Sequence, residues 1–207
     1  MSLISLMDVS KQFKDDERVF NILENVNLNI EEHTISIILG SSGSGKTTLL
    51  NIIDGIESIT SGSLTKKENL KVGYVTQYAN YIDELTVEQN LMLSIYNQKE
   101  KANIRDLCEL FDCTYLLRKK PSHLSGGEKQ RINIVRTLLM KPELIILDEP
   151  TASLDHDNKF KVISFLQKIF DEGNITFIIV SHDQEVVDYF KNKNVYRLKS
   201  KTLLHER

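Results

Sequence analysis

The chain has 207 residues, 41% of them hydrophobic and 27% charged, and a formal net charge of −3. That length can bury a substantial core in one domain, the composition is that of an ordinary globular protein, and the charge gives no general attraction to nucleic acid or anionic lipid. No apolar run approaches the ~20 residues of a membrane span, and the first residues lack a basic-then-apolar secretion signal.

The first thirty residues read as β structure. Residues 3–9 form an apolar strand leading to Phe13, residues 14–18 are a polar turn, and residues 19–23 return as a second strand. Residues 26–30, Val-Asn-Leu-Asn-Ile, alternate as a half-exposed antiparallel strand does. Phe13 is a candidate platform for an adenine ring, although a Phe near a strand end is more often plain core.

Residues 35–39, Ile-Ser-Ile-Ile-Leu, read as a buried strand. Gly40, Ser41, Ser42, Gly43, Ser44, Gly45, Lys46 and Thr47 follow, and then Thr48 opens a helical pattern carried by Leu49, Leu50, Ile52 and Ile53. Strand, glycine loop and helix are the context of a phosphate-binding P-loop, and the spacing G-x-x-x-x-G-K-T matches it in full. Glycines let successive N–H groups turn inward, and the helix start adds positive partial charge. Lys46 can reach the β- and γ-phosphates of a nucleotide, and the Thr47 hydroxyl can ligate Mg²⁺. A plain Gly/Ser turn before a helix does not require the Lys-Thr pair.

Residues 58–62 read as a turn, and residues 71–76 as a strand ending at Gln77. From about residue 86 to 120 the apolar residues fall at helical spacing, which marks a helical insert between strands of the main sheet. Cys108 and Cys113 lie in it with no ligand partners at zinc spacing, and read as reduced core or boundary thiols. The next stretch is Leu124-Ser125-Gly126-Gly127-Glu128, before a helix carrying Ile132, Ile134, Val135, Leu138 and Leu139. Ser125 and Glu128 have capping-box spacing. A capping box leaves the two glycines unexplained, since each costs ~1 kcal/mol against Ala in a helix. Exposed N–H groups at a helix start suit an anion, so this is a second phosphate-binding terminus.

Residues 144–147 are a wholly apolar strand ending in Asp148 and Glu149. Acidic residues at the carboxyl edge of a buried strand stand where α/β sheets bind ligands. Asp148 can hold Mg²⁺, and Glu149 can polarise an attacking water. A helix over about 156–171 precedes a buried strand over 175–180, and His182 follows that strand within reach of a γ-phosphate or the water. Strands over 195–198 and 202–204 finish the chain.

Taken together, these motifs resemble the nucleotide-binding domain of ATP-binding-cassette (ABC) transporters, in order and over essentially the whole chain. The resemblance implies an α/β P-loop NTPase fold: a mainly parallel core sheet, an N-terminal antiparallel β subdomain, and an inserted helical subdomain at about 80–140 within a single domain of 1–207. It implies a Walker A at Gly40 to Thr47 with Thr48, a Q-loop Gln77 that touches the metal, and a Walker B ending at Asp148. Glu149 would be the catalytic base, His182 the switch histidine, and Phe13 the A-loop aromatic. Leu124, Ser125, Gly126, Gly127 and Glu128 would be the signature, acting in trans on a second copy's ATP. Ala152, Ser153, Leu154 and Asp155 would be the D-loop. ATP and Mg²⁺ are the implied substrate and metal.

The implied partners are a second copy of the chain, head to tail, and an integral membrane permease, at the cytoplasmic face of a bacterial-type membrane. Residues 26–30, 49–53 and 124–131 are similar to the macrolide-exporter, lipoprotein-release and bacteriocin-export group. His33-Thr34 replaces the usual Gly-Glu, and the span from Gly62 to Gln77 is short, so a strand or loop of relatives is expected to be trimmed there. The segment from Gln77 to about Leu93 is the expected permease surface, exposing Tyr78, Tyr81 and Ile82.

Two other readings compete. A soluble cassette ATPase acting on ribosomes or DNA would call for a paired cassette, a long insert or a basic stripe. A degenerate cassette would lack Glu149 or His182, and both are present.

Overall fold

The computed structural model describes residues 1–15, 18–76, 80–96, 103–152 and 154–206. In chain order its elements are β1 (Ser2–Asp15), β2 (Arg18–Glu31), β3 (Ile35–Leu39), α1 (Lys46–Asp54), β4 (Ser61–Lys66), β5 (Val72–Val75), α2 (Val87–Ser94), α3 (Ile104–Leu110), α4 (Gly126–Leu139), β6 (Leu144–Asp148), α5 (His156–Glu172), β7 (Thr176–Ser181), α6 (Gln184–Tyr189), β8 (Lys193–Lys199) and β9 (Thr202–Glu206).

The apolar runs of β3, β6 and β7 are buried on both faces, as continuous hydrophobic strands of a parallel sheet are. They lie at the centre of a six-stranded sheet of order β5-β6-β7-β3-β8-β9, parallel except for the last pair. Side chains alternate across it. Ile35, Ile37, Leu39, Ile145, Leu147, Phe177 and Ile179 share one core with the apolar faces of α2, α3, α4, α5 and α6. Ile38, Leu144, Ile146, Ile178 and Val180 share the other with α1 and the N-terminal strands.

Those strands form a second, antiparallel sheet of order β2-β1-β4. Helix α1 shares its core with both sheets, which is why Leu49, Leu50, Ile52 and Ile53 are all fully buried within five residues. Each such side chain contributes roughly 1.5–3 kcal/mol by leaving water. The helix that follows the glycine loop is therefore held on two sides.

Five elements differ from the expectations above. Strand β1 runs on to Asp15, which pairs with Arg18 at the start of β2, so residues 14, 15 and 18 of the expected turn are strand. The two strands over 19–23 and 26–30 are one strand, β2. The register shifts where Val9 pairs Val26 and Lys11 pairs Leu23, and Asn25 takes φ 49° there, so the apparent break is a bulge. The expected turn over 58–62 runs into a third strand, β4. Only Leu64 of its apolar residues packs inward, so its hydrophobic signal is weak. Helix α1 starts at Lys46, two residues before the apolar periodicity begins. Helix α6 is a single short helix capped by Asp183, whose Oδ1 accepts from the Glu185 N–H at 2.9 Å.

Between β5 and β6 the chain supplies α2, α3, two 3₁₀ turns and α4. Cys108 and Cys113 are free and fully buried in this region. Tyr81 departs from its expected exposure. It packs against the main core, its hydroxyl donates to the Lys129 carbonyl at 2.8 Å, and burial pushes its phenol up from the usual range. Ile82 is 47% exposed, and Tyr78 lies outside the described residues.

Candidate active site

Three strand ends meet at one edge of the main sheet. Leu39 of β3 pairs with Ser181 of β7, and Asp148 of β6 pairs with Val180 of β7. The glycine loop, the acidic pair and His182 therefore leave the sheet side by side, at the carboxyl edge where α/β sheets bind ligands. A cleft of about 730 Å³ opens there. Ser41, Ser42, Gly43, Gly45, Lys46, Thr47 and Thr48 line it from the loop, Asp148, Glu149 and Ala152 from the end of β6, His182 from the end of β7, and Ile22 from β2.

The loop's backbone requires glycine at particular places. Gly45, the residue before α1, has φ 105°, and a Cβ there would come 3.1 Å from the Ile22 side chain and 3.2 Å from its carbonyl oxygen. Gly40 does not line the cleft; a Cβ on it would meet the Ser44 hydroxyl at 2.6 Å and the Leu198 carbonyl oxygen at 2.9 Å. Among the described residues no side chain caps α1, which leaves its first N–H groups and the positive end of its dipole to an anion. Lys46 Nζ donates to the carbonyls of Gly40 at 2.8 Å and Ser41 at 3.0 Å. An ammonium carries three hydrogens, so one remains for a phosphate oxygen.

Asp148 ends β6, and the Tyr74 hydroxyl donates towards its Oδ2 at 3.4 Å. Burial and the neighbouring Glu149 charge hold the Asp148 carboxyl above its usual range, with Tyr74 and Lys46 offsetting part of the rise. Positive charge entering the cleft reverses that pressure. Thr47 and Asp148 offer a hydroxyl and a carboxylate, hard oxygen donors of the kind Mg²⁺ takes together with water and phosphate oxygens.

Glu149 has φ 50°, a conformation that costs a non-glycine residue about 1–3 kcal/mol unless its surroundings hold it. They do: its N–H donates to the Val180 carbonyl at 3.0 Å and its carbonyl accepts from Ala152 at 3.2 Å. Its Oε2 lies 2.8 Å from His182 Nδ1. The carboxylate is largely sheltered, with 18% of its side chain exposed, whereas the histidine side chain is 66% exposed.

The second helix start is built as the spacing predicts. The Glu128 N–H donates to Ser125 Oγ at 3.3 Å, and the Ser125 N–H donates to Glu128 Oε2 at 2.7 Å. Tyr115 also holds Glu128, donating to Oε1 at 3.1 Å. None of Leu124, Ser125, Gly126, Gly127 and Glu128 lines the cleft of their own chain. A Cβ on Gly127 would come 3.3 Å from the Leu154 side chain and 3.6 Å from that of Asn158, and Asp155 caps α5 by accepting from the Asn158 N–H at 2.9 Å. Gln77 and Ser153 lie outside the described residues.

Phe13 is 40% exposed, pairs across the hairpin with Phe20, and has Lys11 Nζ 4.7 Å from its ring centre. It is not a core residue, and it is not among those lining the cleft. Sequence reasoning missed Ile22, Tyr74 and Tyr115. Ile22 gives no signal beyond its place in an apolar strand. Tyr74 and Tyr115 are polar-tipped aromatics whose partners are distant in sequence.

Comparison with known proteins identifies the family and the fold. The ABC transporter family profile matches residues 23–152. The chain is 31% identical to the lipoprotein-releasing system ATP-binding protein LolD of Buchnera aphidicola subsp. Acyrthosiphon pisum, with 89% of this chain and 90% of that protein covered. It is 34% identical to the macrolide export ATP-binding/permease protein MacB of Mannheimia succiniciproducens, over 90% of this chain and 32% of that protein. Among solved structures, a dimeric post-hydrolysis state of the ATP-binding cassette MJ0796 bound to ADP and Pi matches with a TM-score of 0.86. The identity is 30%, and 99% of this chain and 98% of that one are covered.

Proposed function

The chain belongs to the ABC transporter family and is an ATPase subunit of such a transporter, and from this premise we propose that two copies close head to tail around two ATP molecules to drive a separate membrane permease. One observation carries the reading. Among the described residues, α1 has an uncapped start, α4 keeps the N–H groups of Gly126 and Gly127 outside its capping box, and of these two helix starts α1 alone lines its own cleft. The Ser125 to Glu128 turn is then free to cover the nucleotide of a second copy. The dimeric state of MJ0796 with ADP and Pi supports that arrangement.

Within each cleft the roles follow from position. Lys46 and the first N–H groups of α1 hold the β- and γ-phosphates. Thr47, Asp148 and Gln77 would hold Mg²⁺, which would supply charge neutralisation for the phosphates. Glu149 orients the attacking water and takes its proton, and His182 keeps the Glu149 carboxylate in place beside the γ-phosphate. Phe13 stacks on the adenine.

Among the described residues no helix is long and apolar enough to cross a membrane. The likeness to LolD and MacB supports a subunit at the cytoplasmic face of a membrane, gripping its permease through the helices between β5 and β6. The names of LolD and MacB favour extraction or export as the work done.

The deciding experiment is Glu149→Gln. It removes the base and leaves the phosphate cradle alone, so ATP affinity should stay within a few-fold while kcat falls by at least about 100-fold. The variant should accumulate as an ATP-dependent dimer on size exclusion. Turnover at the wild-type rate would remove Glu149 from its role, and a persistent monomer at saturating ATP would overturn the head-to-tail reading.

A further inference from the structure

An ion pair between α5 and the start of α6 adjoins His182. Lys159 ends the first turn of α5, where its N–H donates to the Asp155 carbonyl at 2.9 Å. Only 12% of its side chain is exposed, and its ammonium donates to Asp183 Oδ2 at 2.8 Å and also to Glu185. The other Asp183 oxygen, Oδ1, caps α6 through the Glu185 N–H, and the Asp183 N–H donates to Ser181 Oγ at 3.1 Å. One residue is thus tied to β7, α5 and α6 together. Lys159 and Asp183 line a small cavity of about 180 Å³ that shares Glu149, Ala152 and His182 with the nucleotide cleft. Lys159 itself does not line that cleft.

His182 depends on its backbone for its place. Its ring is mostly exposed, and among the described residues its one hydrogen-bond partner is Glu149. Strand β7 ends at Ser181 and α6 begins at Gln184, so His182 and Asp183 alone bridge the two elements. Whatever fixes Asp183 therefore fixes the direction in which His182 leaves the sheet. We infer that Lys159 is a positioning residue for His182, holding Asp183 so that the imidazole meets Glu149. This rests on the role given above to His182. A charge-assisted bond from a sheltered ammonium keeps its geometry better than an exposed surface pair does. Without Lys159 the Oδ1 cap of α6 remains, so the fold persists. Oδ2 loses its partner, and the two-residue bridge is free to turn.

The test is a double-mutant cycle on the full chain, reading single-turnover ATP hydrolysis and equilibrium ATP binding for the wild type, Lys159→Met, His182→Ala and the double variant. Misplacing a group by about an ångström can cost up to about 100-fold, so Lys159→Met should slow hydrolysis by about tenfold, with ATP affinity within about twofold. Lys159→Arg, which restores a cationic donor to the carboxylates, should recover most of the rate. In the His182→Ala background the Lys159→Met loss should shrink to under about twofold, because residues that act through one another are not additive. Asp183→Asn puts an amide where Oδ2 accepts from Lys159 and should slow hydrolysis as Lys159→Met does, which keeps the test open if the methionine variant folds poorly. A Lys159→Met loss that stays tenfold without His182 would give Lys159 a structural role elsewhere and overturn the inference. Wild-type rates in Lys159→Met or in Asp183→Asn would overturn it too. His182→Ala hydrolysing at the wild-type rate would instead remove the reading of His182, and the inference with it.

Discussion

His182 Nδ1 lies 2.8 Å from Glu149 Oε2, across thirty-three residues of sequence. The contact joins the ends of β6 and β7, and it restrains a carboxylate whose backbone is already fixed at a positive φ. Both groups lie on the cleft that holds Lys46 and Thr47. His182→Ala should leave that cradle intact, so ATP binding should change little. Loss of the restraint on Glu149 should lower kcat by about 100-fold, the scale of a misplaced catalytic group. Single-turnover hydrolysis measured beside equilibrium ATP binding separates the two effects, and a kcat within twofold of wild type would detach His182 from the chemistry.

Phe13 offers an exposed ring backed by a cation, since Lys11 Nζ sits 4.7 Å from its centre and is anchored by the Ser58 carbonyl at 2.8 Å and Glu57 at 2.7 Å. A ring held in this way can stack on a base. Phe13→Ala should therefore weaken ATP affinity by about 1 kcal/mol, or roughly fivefold, and leave the thermal midpoint nearly unchanged. The discriminating measurement is the affinity for triphosphate without a base, which the substitution should not alter. Equal affinity for ATP before and after the change would return Phe13 to a purely structural role.

Most of the site was legible because its chemistry is local in sequence. Gly40 to Thr47 is one continuous run, and Asp148-Glu149 and His182 each follow an apolar run that reads as a buried strand. The register that sets Asp148 beside Val180 and Leu39 beside Ser181 then brings them together without further specification. What escaped reading depends on partners far along the chain. Strand β4 has one inward apolar side chain and is fixed by pairing with β1. Tyr74 matters because β5 pairs with β6, which sets its hydroxyl beside Asp148. The burial of Tyr81 was hidden for the same reason, since an isolated tyrosine among polar neighbours reads as surface until α4 is placed against it.

Tyr81→Ala should consequently destabilise the isolated subunit. It deletes a packed ring, the hydroxyl bond to the Lys129 carbonyl and the face on which Arg136 rests. Removing a large buried aromatic side chain costs about 3–5 kcal/mol, and the lower end applies here because the ring is only partly buried. Tyr81→Phe keeps the ring and removes the hydrogen bond alone, for about 1 kcal/mol. Chemical denaturation of the two variants orders the effects, and wild-type stability in Tyr81→Ala would restore the tyrosine to the surface.

The α4 capping box carries a pH dependence of definite sign. Burial raises the Glu128 carboxyl, but the Ser125 N–H and hydroxyl, the Tyr115 hydroxyl and Lys119 outweigh it, and the net effect lowers it below the usual range. A carboxylate lowered on folding stabilises the protein fully above its unfolded pKa of about 4.3 and loses that contribution as pH falls through the lower folded value. Glu128→Gln keeps a capping side chain without a charge that titrates. At pH 7 and without nucleotide, the wild type should be more stable than Glu128→Gln by about 1 kcal/mol, the scale of one cap interaction. The difference should shrink towards zero below about pH 4. Asp155 and Asp183 are lowered as well, by the Asn158 N–H and by Lys159 respectively, and their pH dependence is common to both proteins. Subtracting one denaturation series from the other therefore isolates Glu128. A difference that stays constant from pH 7 to pH 3.5 would mean that the charge on Glu128 contributes nothing to the cap and that its geometry alone holds the start of α4.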